Sequence, residues 1–226
     1  MNLALGRLFP RLNKDTRWPA PIAVVLVSIL AAGSWLVGLS YSRGYDYFLW
    51  LYNAWLAGRY LWSGDWPNWS QFSAAGHPFF KIAGVADALL LSLFTRSCGV
   101  GPGTQIYVCL LYVVAGMGLY ALVRYMGGSR AGGIVGATAY VFSWFLTFTV
   151  YYQTYLNTFL SYALMPWAAL LFCRAVAEKS RGALLGAAGI LFVSIASNAQ
   201  VSIKLLLFVV PLGVVEAVLC RGAPWR

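Results

Sequence analysis

From Ala131 to Cys173 the chain carries no Asp, Glu, Lys or Arg, forty-three residues in succession. A helix rises ~1.5 Å per residue, so this run extends about 65 Å and can cross a ~30 Å hydrocarbon core twice. The remainder agrees. Of 226 residues, 61% are hydrophobic and 10% charged, and mean hydropathy is +0.72. A soluble domain sits nearer half apolar and a quarter charged. The chain is therefore expected to be all-α, a polytopic transmembrane helical bundle.

The net charge of +10 does not point to nucleic acid, because the basic residues stand in small groups at the ends of apolar runs. That distribution is what orienting a membrane protein requires. Cys98, Cys109, Cys173 and Cys220 lie in or beside apolar segments without CxxC spacing, and read as small hydrophobes rather than as disulfide or metal ligands. Residues 1–19 form a basic tail. Pro21 to Leu39 then adds 19 uncharged residues, longer than the apolar core of a cleaved signal peptide and fit for a first span. Residues 20–226 are read as a single transmembrane domain.

Further apolar runs lie near 82–95, 104–123, 131–150, 156–173, 182–197 and 201–219. The run at 82–95 is only 14 residues, holds Asp87 and reaches about 20 Å as a helix. If it does not span, eleven basic residues fall on the cytoplasmic side and Arg43, Arg59, Lys81 and Arg96 outside. If it spans, only five remain inside. The positive-inside rule selects the first arrangement. It has six spans, both termini cytoplasmic, and an outer segment over 41–103. The location expected is the plasma or inner membrane.

Within that segment, "DYFLWLYNAWLAGRYLW" (46–62) has helical length and propensity. It is too aromatic for a solvated helix and too polar for a span, so it predicts a helix at headgroup depth. "SGDWPNWSQ" (63–71) follows as turn chemistry in which Gly and Pro break regular structure. Residues 82–95 make a second interfacial helix, and "GVGPG" (99–103) a hinge to the bundle. The two helices would form a shelf over the outer ends of the spans. Gly132/Gly136 and Gly182/Gly186 have the spacing of close helix contacts, and Pro166 and Pro211 are expected to kink their spans.

Polar residues that could do chemistry collect on the shelf side. Asp46 opens the first interfacial helix. It could cap that helix, or face a cavity as base toward an acceptor hydroxyl or as a metal-holding carboxylate. Asn53 shares its face two turns on, leaving Phe48, Trp55 and Trp62 toward lipid. Asp65 is ordinary turn chemistry. Asp87, in a short apolar helix, should have a partner or a task. His77 lacks metal-ligand spacing and reads as structural or substrate-contacting. "YYQTYLN" (151–157) and "SNAQVSIK" (197–204) are outer turns offering Gln153, Asn157, Asn198, Gln200 and Lys204. Lys204 could snorkel to the headgroups or meet the phosphate of an anionic lipid.

The order of first span, "GYD", aromatic helix, "SGDWPNWSQFSAAGHPF", short apolar helix and "QIYVCLLYVVAGMGLYALVRYMGGSR" resembles the N-terminal half of YfhO-type membrane proteins. More broadly it resembles the GT-C superfamily of lipid-dependent glycosyltransferases. Asp46 matches the loop aspartate of that pattern, Gly64, Pro67, Trp69, Gly76 and Pro78 its middle motif, and Gln200 its last turn. The likeness covers about residues 20 to 215. The proline pair of the second interfacial helix is replaced around Ala86-Asp87-Ala88, and GT-C enzymes have more spans than six. A split enzyme completed by a second polypeptide is one arrangement this implies.

What the resemblance implies is inverting sugar transfer from a polyprenyl-phosphate donor to an acceptor on the outer face. Asp46 would be base or metal-associated carboxylate, with room for a divalent metal. The donor phosphate would lie near Lys204, Arg43 or Arg59. The reading from a different class is a non-catalytic membrane subunit that binds or transports a lipid-linked carrier.

Overall fold

The computed structural model describes residues 19–36, 47–64, 69–70, 77–78, 84–147, 156–198, 203 and 206–207. Within them the chain is built from helices: α1 Pro19–Ala31, α2 Gly33–Leu36, α3 Tyr47–Ser63, α4 Val85–Cys98, α5 Val100–Tyr125, α6 Arg130–Val141, α7 Trp144–Thr147, α8 Leu156–Glu178 and α9 Arg181–Ser197. Two helices, α5 with 26 residues and α8 with 23, are long and apolar enough to cross a membrane. The expectation of an all-α chain of membrane character holds at that level.

The segment 63–71, expected as turn chemistry, holds one short strand that pairs with a second beyond it. Strands β1 (Trp69–Ser70) and β2 (His77–Pro78) pair antiparallel, with Trp69 opposite Pro78 and Ser70 opposite His77.

Helix α8 is the axis of the bundle. Phe159, Leu160, Ala163, Ala169 and Ala175 are buried along it, and it packs on α5 and α9. A helix apolar on all sides belongs inside. Helix α5 contacts α1, α4, α6 and α8. Its joint with α6 is closed locally: Arg124 donates through Nη1 to the Gly128 carbonyl at 2.8 Å, and Ser129 caps α6 by accepting from the Gly132 amide at 3.0 Å. These bonds satisfy helix-end groups that would otherwise lack partners.

Pro166 lies inside α8, and the helix runs on through it. Proline has no N–H, so the Tyr162 carbonyl four residues earlier loses its intrahelical donor. The Tyr140 hydroxyl of α6 donates to that carbonyl at 2.8 Å, and the Tyr140 and Tyr162 rings stack at 4.5 Å. One residue on, Trp167 donates through Nε1 to the Val114 carbonyl of α5 at 2.8 Å. Gly118 makes this possible, since a Cβ there would lie 2.6 Å from that nitrogen. Pro211 lies outside the described residues.

Three sequence expectations need correction. The hinge is Gly99 alone. Its φ of 85° and ψ of 164° suit glycine, and α5 starts at once at Val100. Pro102 fits the first turn of α5, where an N–H would be unbonded anyway. The apolar run at 131–150 is also not one helix, because α6 ends at Val141 and α7 resumes at Trp144. Lastly, only the second glycine of each pair meets a neighbouring helix: a Cβ on Gly186 would stand 3.2 Å from Leu171 of α8 and one on Gly136 3.5 Å from Val123 of α5, whereas Gly132 faces its own cap and Gly182 meets only Ser180 at 3.9 Å. A tighter contact falls at Gly133, where a Cβ would stand 2.7 Å from the Tyr120 ring.

Helix α4 also differs from a flat shelf. A Cβ on Gly103 would lie on the Phe94 carbonyl, and the Phe94 and Tyr107 rings sit 5.6 Å apart. Asp87, twelve residues before Gly99, bonds Tyr107, eight after it. At ~1.5 Å per residue those points are about 18 and 12 Å along their helices, so α4 must run back beside α5. Helix α3 packs on α4, and α4 reaches α8 and α9.

Candidate functional site

The polar groups meet where α5 and α8 begin, α9 ends and α4 folds back. Leu91, Tyr107, Leu156, Phe159 and Ala54 share one buried cluster there. Asp87 stands one turn before Leu91 and is fully buried. Its Oδ1 accepts from the Tyr107 hydroxyl at 2.5 Å, and its Oδ2 has no hydrogen-bond partner among the described residues. The partner or task expected of this carboxylate is thus, in part, Tyr107. Burial pushes the Asp87 carboxyl up to about 7, with the tyrosine hydrogen bond opposing the rise. Burial thus favours the protonated carboxyl over the carboxylate.

Asn53 precedes Ala54 on α3, is 1% exposed, and has neither amide atom hydrogen-bonded among the described residues. Trp55, two residues on, is 47% exposed. The inward Asn53 and outward Trp55 follow the expected division of that helix. Phe48 and Trp62 fall among residues whose side chains are not described. A buried amide without partners costs on the order of 1–3 kcal/mol per group, so Asn53 and the Asp87 Oδ2 are polar atoms suited to a hydroxyl-bearing partner.

A second polar seam joins α8 to α9 at the same end. Asn198 donates through Nδ2 to Thr158 Oγ1 at 2.7 Å, and the Ser161 hydroxyl reaches the Ser194 carbonyl at 3.1 Å. Asn157 accepts from the Thr158 amide at 2.8 Å, an N-terminal bond of α8. Asn157 and Asn198 are therefore brought together, and both already serve the helix ends.

Along the α3–α4 pair a groove of about 590 Å³ opens, lined by Trp55, Arg59, Ser63, Ser92, Thr95 and Arg96 among others. The Arg59 guanidinium sits 5.7 Å from the centre of the Trp55 ring. Arg59, a binding candidate in the sequence, lines this groove. Arg96, Ser92, Thr95, Tyr107 and Thr158 are unremarkable in their own segments, and their neighbours follow only from the packing of helices.

Arg43, Asp46, Gln153, Gln200 and Lys204 lie outside the described residues. So does the side chain of His77, whose backbone pairs with Ser70. Among the described residues no three His, Cys, Asp or Glu side chains converge as a metal site. Cys98 is exposed at the end of α4, Cys109 is half-buried in α5, and Cys173 is buried in α8.

No protein-family model, curated protein or solved structure matches this chain.

Proposed function

We propose that this chain is a GT-C-type glycosyltransferase, or the N-terminal part of one, working on the outer face of the plasma or inner membrane. In this reading six spans, with both termini cytoplasmic, carry the α3–α4 pair on that face. A polyprenyl-phosphate-linked sugar is the donor. Asp46 takes the proton from the acceptor hydroxyl, whose oxygen forms the new bond to the anomeric carbon as the bond to the phosphate oxygen breaks. The polyprenyl phosphate leaves and the anomeric configuration inverts. A divalent metal at Asp46 and a second polypeptide completing the bundle are compatible with the scheme.

The observation that supports it is the gathering of Asn53 and Asp87, buried and incompletely hydrogen-bonded, at the end where α8 begins and α9 ends. An ionisable residue buried among apolar membrane helices is costly to keep and marks a candidate working site. The test is Asp46→Asn in the complete membrane system, followed by transfer of a labelled sugar from the lipid-linked donor. Loss of transfer with insertion intact is expected. Undiminished transfer removes the enzymatic reading.

A non-catalytic subunit that binds or transports a lipid-linked carrier is the second reading. It is favoured by the commitment of Asp87 Oδ1 to Tyr107, a structural use of the one described carboxylate at this end. Under it, Asp46→Asn leaves transfer untouched.

A further inference from the structure

We propose that Asn53 and Asp87, at the α3–α4 interface, form a binding site for a vicinal pair of hydroxyls on an uncharged sugar ring. The sugar as bearer of that pair rests on the glycosyltransferase reading above; the hydroxyl chemistry does not. Packing sets the placement. Asn53, Leu56 and Ala57 stand three and four residues apart and share one face of α3. Leu56 and Ala57 are buried in one cluster with Ala88, which follows Asp87 directly. Ala54 joins Leu91 and Tyr107 in the neighbouring cluster, and Leu91 is one turn past Asp87. The amide and the carboxyl are therefore enclosed by the same pair of helices, 1% and 0% exposed.

Hydrogen-bond arithmetic then selects the ligand. Among the described residues the Tyr107 hydroxyl, on Asp87 Oδ1, is the one partner that either side chain has. An asparagine amide offers two N–H donors and a carbonyl acceptor, and a protonated carboxyl offers one O–H. Buried polar groups in native proteins are nearly always paired, so these two call for a ligand that both donates and accepts. One ring hydroxyl accepts from the Asp87 Oδ2–H and donates to Asn53 Oδ1, and its neighbour accepts from Asn53 Nδ2. Charge selects against ionic ligands. Around Asp87, α3 carries Tyr52, Arg59 and Tyr60, α4 itself carries Arg96, and α5 presents Tyr107. The charged groups of α8 and α9, Arg174, Glu178 and Arg181, lie at the opposite ends of those helices. Arg59 and Arg96 line the groove, and no described cation pairs with Asp87. An anionic ligand finds no counter-charge at this site. An ammonium would require the carboxylate form, which burial disfavours.

The test is retention of tritiated octyl β-glucoside by the full chain in phospholipid nanodiscs, a readout that involves no sugar transfer. Wild type holds the glucoside about tenfold more tightly than octyl tetrahydropyranyl ether, which has ring and tail without hydroxyls, and than octyl glucuronide, which adds a carboxylate. Asn53→Leu and Asp87→Leu each weaken retention about tenfold, the scale of one hydrogen bond lost at a buried site. Asp87→Asn puts an N–H where the O–H stood and keeps the glucoside. Wild-type retention falls as pH rises through about 7, where the carboxyl loses its proton, while that of Asp87→Asn stays level. A purely structural role gives both the same profile and overturns the part assigned to Asp87. Thermal unfolding shows which variants are folded, and the pH comparison needs neither leucine variant. Equal retention of the ether overturns the hydroxyl chemistry, and equal retention of the glucuronide overturns the neutrality. No retention by wild type means that water alone meets these groups, and overturns the site. Failure here leaves the Asp46→Asn transfer test standing, and undiminished transfer there leaves this binding in place.

Discussion

Replacing Tyr140 by phenylalanine removes one oxygen and leaves the ring, so the stacking on Tyr162 at 4.5 Å survives while the 2.8 Å bond to the Tyr162 carbonyl is lost. That carbonyl has no other helical donor, because position 166 is proline. The bond is half-buried, so losing it costs about 1–2 kcal/mol, the lower part of the range for buried groups, and Tyr140→Phe should destabilise the bundle by that amount. Pro166→Ala restores the missing N–H. In the Pro166→Ala background the carbonyl is bonded within α8, and Tyr140→Phe should cost only a few tenths of a kcal/mol. The coupling between the two sites is therefore about 1–2 kcal/mol, measurable as a double-mutant cycle by denaturant titration of the micelle-bound protein. An identical Tyr140→Phe cost in both backgrounds would refute the idea that the hydroxyl serves the carbonyl freed by proline.

The remaining predictions concern packing, protonation and orientation. Gly118→Ala sets a Cβ 2.6 Å from the Trp167 Nε1, forces the indole off the Val114 carbonyl, and should cost about 1–3 kcal/mol with a change in tryptophan fluorescence. Asp87 has a folded value raised from 3.8 to about 7. Its neutral form is the one the fold favours, so its contribution is complete below pH ~4 and fades as pH rises through about 7. Asp87→Asn should flatten the fall of stability between about pH 4 and 7, and an unchanged slope would place the titration elsewhere. Under the proposed orientation, cysteines introduced at 126–130 label only from the cytoplasm and those at 153–155 only from outside. Labelling of both from one side would reverse or collapse the span count.

The helices were legible where the cause is local. Hydropathy and length marked α5, α8 and α9 to within a few residues, because an apolar run has few alternatives to a helix in a membrane. The Ser129 and Ser180 caps lie in adjoining sequence, each accepting from the amide three residues on. The break at 142–143 was illegible, since nothing in the composition of 131–150 distinguishes it from a continuous helix. The candidate site divides the same way. Asn53 and Asp87 stood out as polar residues in apolar company, but their burial and Tyr107's role did not follow from spacing.

Sequence alone determined that this chain is a helical bundle of membrane character with its polar outliers confined to certain joints, because transfer of side chains out of water is a property of each residue by itself. Tertiary structure alone decided which outlier meets which partner. Asp87 bonds Tyr107 because α4 doubles back after Gly99. Tyr140 completes the backbone bond that Pro166 leaves open, and Arg59 shares a groove with Arg96. Hydrogen bonds form over about 3 Å, and only packing of distant helices brings groups that far apart in the chain to such a distance.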